Sequence, residues 1–170
     1  MTAPATTGTD TATTTQVHKI YIKATPQAIW DAITKPEWTE RYGYGGFVRP
    51  SFTPGQPYEI VANEFMQAAG MPEVVVAGET LVADEPSTLV LLWRANWDTE
   101  PATKLTYEIK QWGDVCSLTV IHELDGAPNL ARMVAGGDEA NGAGGGWAQV
   151  LSDLKSLLET GQSLYGKPVG

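Results

Sequence analysis

Only three side chains in this sequence are of the kinds most often used for proton transfer, thiol chemistry or metal binding near neutral pH: His18, His122 and Cys116. His122 lies in "SLTVIHEL", where strand alternation groups Cys116, Leu118, Val120, His122 and Leu124 on one face. The apolar character of that set marks it as inward. An inward imidazole is a candidate general base. It would need a donor such as Arg94 or Tyr107 placed where a carbonyl oxygen develops charge. The bland alternative is a core histidine satisfied by backbone or by a carboxylate. Cys116, on the same face, reads as a small packed side chain rather than a reactive thiol.

Other constellations are missing. Neither histidine belongs to a His-Glu-x-x-His pattern and the lone cysteine makes no Cys-x-x-Cys, so no metal is expected. "GGDEANGAGGG" is glycine-rich but lacks the Lys-Ser/Thr of a phosphate loop, and Asp138 and Glu139 would repel phosphate. No nucleotide and no other cofactor is expected. The carboxylates Glu59, Glu64, Glu73 and Glu79 read as solvated surface.

Aromatic and sulfur side chains suggest binding more than they suggest chemistry. Six tryptophans and six tyrosines are generous for 170 residues. Trp93, Trp97, Tyr107, Trp112 and Trp147 fall on segments expected to face an interior or its rim, together with Leu118, Val120 and Leu151. Flat rings of this kind suit an aromatic or polycyclic ligand, although each ring alone can simply fill a core. Phe65, Met66 and Met71, with Leu130 and Met133, are expected to form an adaptable apolar rim around an entrance.

The elements that must position these residues follow from periodicity. "VHKIYIKAT" alternates as a half-exposed strand. Thr25 then caps a helix that opens with Pro26 and carries Ile29, Trp30 and Ile33 on one stripe, and Pro36 opens a second short helix ending at Gly43. Strands are predicted at 74–83, 88–97, 103–112 and 115–124, with weaker ones at 46–53 and 57–64, separated by turn residues such as Gly113-Asp114. A Gly/Ala-rich interval follows. The last helix carries Trp147, Val150, Leu151, Leu154, Leu157 and Leu158 on one face and stops at Gly161. The glycines of 136–146 are expected to let that interval flex as a gate at a pocket mouth.

This order predicts an α+β domain: a curved antiparallel sheet wrapped around a long C-terminal helix, with two short helices after the first strand, the helix-grip layout. Residues 1–15 read as a disordered Thr/Ala tail, 16–162 as the domain and 163–170 as a C-terminal tail. A formal charge of −9 disfavours nucleic acid and anionic membranes as partners. No run of about 20 apolar residues suggests membrane insertion, and no secretory signal is read at the N-terminus, so a cytoplasmic protein is expected.

The segments "ATPQAIWDAITKPEWTERYG", "GETLVADEPSTLVLLWR", "SLTVIHEL" and "GGGWAQVLSDLKSLLE" resemble, in this order, the motifs of the activator of heat-shock protein 90 ATPase-like family of the START-like (SRPBCC) superfamily. The resemblance covers about residues 16–160. It implies a cavity between sheet and helix, used across the superfamily for lipids, sterols, polyketides or other apolar molecules. The expected function is therefore binding of a small hydrophobic or aromatic molecule, for transport, sequestration or sensing, without a cofactor. Alternatives are a polyketide cyclase/aromatase-like or hydrolase-like enzyme using His122, Arg94 and Tyr107, or a chaperone-interaction module. A homodimer is compatible with each.

Overall fold

The computed structural model describes residues 14–141 and 144–164. The predicted tails lie largely outside the described residues, as do 142 and 143 within the glycine-rich interval. Thr15 opens the first strand, paired with Glu123.

Seven strands form one antiparallel sheet: β1 (Thr15–Ile22), β2 (Phe47–Arg49), β3 (Pro57–Val61), β4 (Val74–Asp84), β5 (Thr88–Ala95), β6 (Thr103–Trp112) and β7 (Val115–Glu123). Their spatial order is β1-β7-β6-β5-β4-β3-β2. All but one connection is therefore between neighbours. The exception is β1, which joins β7 at the far edge. An irregular register between Thr80 and Val82 adds local twist to the longest strand.

Helices α1 (Pro26–Thr34) and α2 (Pro36–Thr39) follow β1, the second ending at Thr39 and not at the predicted Gly43. Thr25 caps α1 by accepting from the Ala28 amide at 3.1 Å, and Pro26 supplies a first-turn residue that needs no amide partner. Two further helices stand where loops were expected. They are α3 (Glu64–Ala68), capped by Asn63, and α4 (Pro128–Val134). The long α5 (Gly146–Thr160) ends at Gly161, whose φ of 82° places it in the left-handed cap. It lowers Leu151 and Leu154 into the core formed by Ile22, Leu89, Leu105 and Leu118 from the sheet and Ile29 and Ile33 from α1. This is the helix-grip arrangement.

Close packing accounts for the glycines that lead into α5. A Cβ at Gly146, which has φ of 68°, would stand 2.2 Å from the Val134 carbonyl oxygen at the end of α4. At Gly136 it would stand 2.9 Å from the Gly145 carbonyl oxygen. Both glycines thus let backbone touch backbone. Gly146→Ala should cost at least about 2 kcal/mol, from the left-handed φ and the clash together. Gly113→Ala, at a φ of 60° facing open space, should cost only about 1 kcal/mol. Urea denaturation of both variants checks this, and equal losses would contradict the close-approach account.

Candidate functional site

His122 is fully buried on the inner face of β7, opposite Gln16 of β1 and Leu105 of β6. Both ring nitrogens are engaged. The Trp147 indole Nε1–H, which can only donate, reaches His122 Nδ1 at 3.2 Å. Nδ1 must therefore be the acceptor, so the proton sits on Nε2 and is donated to Thr103 Oγ1 at 2.8 Å. Thr103 in turn donates to the Trp93 carbonyl oxygen at 3.1 Å. The resulting relay runs from the first turn of α5 through β7 and β6 to β5.

Two aromatic rings face His122 and two more stand against those. Trp93 and Trp147 stand edge-to-face to the imidazole, with centroids 5.8 and 6.0 Å away. Trp97 meets Trp93 at 5.9 Å, and Tyr107 meets Trp147 at 6.0 Å, again edge-to-face. Such contacts each add a fraction of a kcal/mol beyond burial. Burial pushes the His122 pKa down to about 4, and His18 adds a smaller like-charge effect. The ring is neutral at pH 7. Burial also raises the Tyr107 hydroxyl well above its ordinary value, so it remains a phenol.

Next to this cluster the surface opens. A depression of about 330 Å³ is lined by Ala95 at the end of β5, Trp97 just after it, and Leu130 and Met133 of α4, among others. Trp93 and Trp97 pack both against the main core and against the small cluster of Leu124, Ala127 and Leu130, so apolar surface runs without interruption from the ring cluster to the depression.

Against this geometry, the sequence of residues 23–159 matches the family of activator of Hsp90 ATPase homolog 1-like proteins. The chain belongs to that family. No curated protein matches at significant similarity. Among solved structures, the Aha1-like chain is similar to DynU16, a protein of the dynemicin biosynthetic locus (TM-score 0.65, 17% identity, covering 88% of this chain and 49% of that one). This chain thus spans about half the length of DynU16. It is also similar to CalU16 from Micromonospora echinospora (TM-score 0.63, 15% identity, 89% and 78% covered). A third is Aha1 from Colwellia psychrerythraea, solved as a dimer (TM-score 0.63, 16% identity, 88% and 98% covered). At these identities the likeness concerns the fold.

In this Aha1-like chain the predicted site residues divide into three groups. Trp93, Trp97, Tyr107, His122 and Trp147 come together, and Met133 joins them through the α4 cluster. Leu118, Val120 and Leu151 are core, with Met66 and Met71 packed against it. Arg94, Trp112 and Phe65 are elsewhere. Arg94 is exposed and follows the inward Trp93, so strand alternation turns it to the outer face and away from His122. Trp112, 56% exposed, ends β6 on that same outer face and donates to Ser117 Oγ. Phe65 is 81% exposed on the outer side of α3. The expected His122–Arg94 pairing is therefore absent.

Several site residues escaped the sequence reading. Thr103 is one, because a lone threonine at a strand start carries no signal. Asp153 is another. Fully buried on α5, it accepts from the backbone N–H groups of Gly43 at 2.9 Å and Leu164 at 2.8 Å. An aspartate at helical spacing between Val150 and Leu157, on the buried stripe, was the available clue. No group of three or more His, Cys, Asp or Glu among the described residues is arranged to hold a metal, and no helix among them is long and apolar enough to cross a membrane.

The His122 environment fixes the sign of a pH effect. The folded chain binds this proton less readily than the unfolded chain, whose histidine titrates near 6.5. Its contribution is therefore complete above about pH 6.5, falls as pH drops, and levels off below about pH 4. The loss should reach about 3 kcal/mol at most. Chemical denaturation from pH 7 to 4 on the wild type and His122→Gln isolates it from the carboxylates. Parallel pH profiles would contradict the assignment.

Proposed function

We propose that this protein binds a small apolar or aromatic molecule at the end of the helix grip where Trp93, Trp97, Tyr107 and Trp147 cluster with His122, and releases it unaltered. The observation that carries this reading is the continuity between the ring cluster and the open depression at Trp97, Leu130 and Met133. Trp97 forms part of the wall of the opening and connects it through Trp93 to the other rings, an apolar lining of the kind small-molecule sites use. Edge-to-face pairs leave ring faces that a flat guest can cover, and methionine adapts to guests of different outline.

Binding is favoured over turnover by the state of the imidazole. A general base needs a lone pair directed at substrate. Here the Nδ1 lone pair receives the Trp147 N–H and Nε2 carries the proton given to Thr103. Of the two expected oxyanion donors, Arg94 lies on the other face of the sheet and Tyr107 stays with the ring cluster, against Trp147. A role in handling small molecules also agrees with the place of one fold relative, DynU16, in a biosynthetic locus.

The test uses a neutral aromatic probe, naphthalene-1-methanol, and the indole N–H resonances of the folded protein. Addition should move the Trp93, Trp97 and Trp147 signals and leave that of Trp112, on the outer face, in place. The Trp97→Ala variant should bind several-fold more weakly. Unmoved signals at high probe concentration, or equal movement of Trp112, would overturn the reading.

A further inference from the structure

The depression beside Trp97 has a one-sided charge that its apolar floor does not need. Its rim is made by Asp98 on the segment after β5 and by Asn129, Arg132 and Asp138 on and after α4. Arg132 is already committed, since its Nε donates to Asp138 Oδ1 at 2.9 Å. Among the described residues Asp98 meets neutral donors, the Thr99 amide at 2.6 Å and the Asn129 side-chain amide at 3.3 Å, and these do not cancel its charge. Glu100 adds a further anion. Its two oxygens accept the Asn129 and Leu130 amides at the start of α4, at 2.8 and 2.9 Å. Asp98 and Asp138 at the rim, with Glu100 near Arg132, thus outweigh the one guanidinium.

We propose that the guest of this site is a small aromatic or alkyl ammonium ion, its apolar body against Trp97, Leu130 and Met133 and its charged nitrogen toward Asp98. The inference rests on the binding reading above and adds to it the charge of the ligand. Each part of the recess then has a use. The indole of Trp97 offers its face to either the body or the cation. Asp98 gains a cationic partner that the described residues do not give it, at the edge of a low-dielectric surface where the attraction is less screened than in open water. The net charge of −9 raises the local concentration of cations over the whole molecule. An anionic guest would have to displace Asp138 from Arg132 while facing Asp98.

Three probes that share one ring system separate these ideas: naphthalen-1-ylmethylammonium, naphthalene-1-methanol and naphthalene-1-acetate, each titrated calorimetrically into the intact protein. The ammonium should bind about tenfold more tightly than the alcohol, with the acetate weakest, and the preference should shrink as ionic strength rises. Asp98→Asn keeps the shape and one acceptor oxygen, so it should abolish most of the preference for the ammonium over the alcohol. Equal affinity for ammonium and alcohol, or a preference that survives in Asp98→Asn, would overturn the charge inference and leave the binding reading intact. Failure of all three probes to bind would overturn both.

Discussion

A fully buried imidazole in this fold must be neutral and must have both nitrogens occupied, and much of the arrangement around it follows from that requirement. An isolated imidazolium inside an apolar core would cost several kcal/mol, and a neutral ring with an unfilled nitrogen would lose a hydrogen bond to water without replacement. The indole of Trp147 and the hydroxyl of Thr103 meet both demands at once. They come from different elements, so satisfying His122 also fixes the first turn of α5 against β6 and β7. The approach of Gly146 to the end of α4 belongs to the same constraint, since any side chain there would hold the indole away from the ring.

The middle of α5 is held by a second polar pin. Asp153 draws in the Gly43 amide, after α2, and the Leu164 amide, after the helix. Around the two pins Leu151, Leu154 and Leu157 are buried. A helix gripped by directional bonds at separate points and by apolar surface around them resists sliding in a way that leucines alone would not, because apolar contact is tolerant of small shifts. The aromatic end can then present an opening without loosening the domain. Membership of the Aha1-like family and the fold shared with CalU16 and DynU16 agree with such a scaffold.

How much of this was legible in the sequence depended on whether the signal was periodic. Alternation in β7 placed His122 inside, and the stripe from Trp147 to Leu158 described α5 almost to the residue. The same alternation, applied to Leu89, Leu91 and Trp93, puts Arg94 outside, and applied to Leu105, Tyr107 and Ile109 it does the same for Trp112. Treating those two as interior set chemical appeal above parity. The helix α4 also had its marks, with Pro128 at the start and Leu130, Ala131 and Val134 at helical spacing, although the surrounding glycines hid them. What no local pattern contained was the pairing of Thr103 with His122. That contact depends on the register of β5, β6 and β7, which only the assembled sheet fixes. Phe65 sits on a five-residue helix too short for any period to emerge.

The imidazole itself offers the most direct test. Nitrogen-15 NMR of the histidine side chains distinguishes tautomers and follows protonation at each ring. The account predicts that His122 is a neutral Nε2–H tautomer at pH 7, with Nδ1 shifted as a hydrogen-bond acceptor and a titration midpoint near 4. A midpoint near 6.5, or the proton on Nδ1, would mean that the indole of Trp147 does not hold the ring and that α5 is anchored by other means.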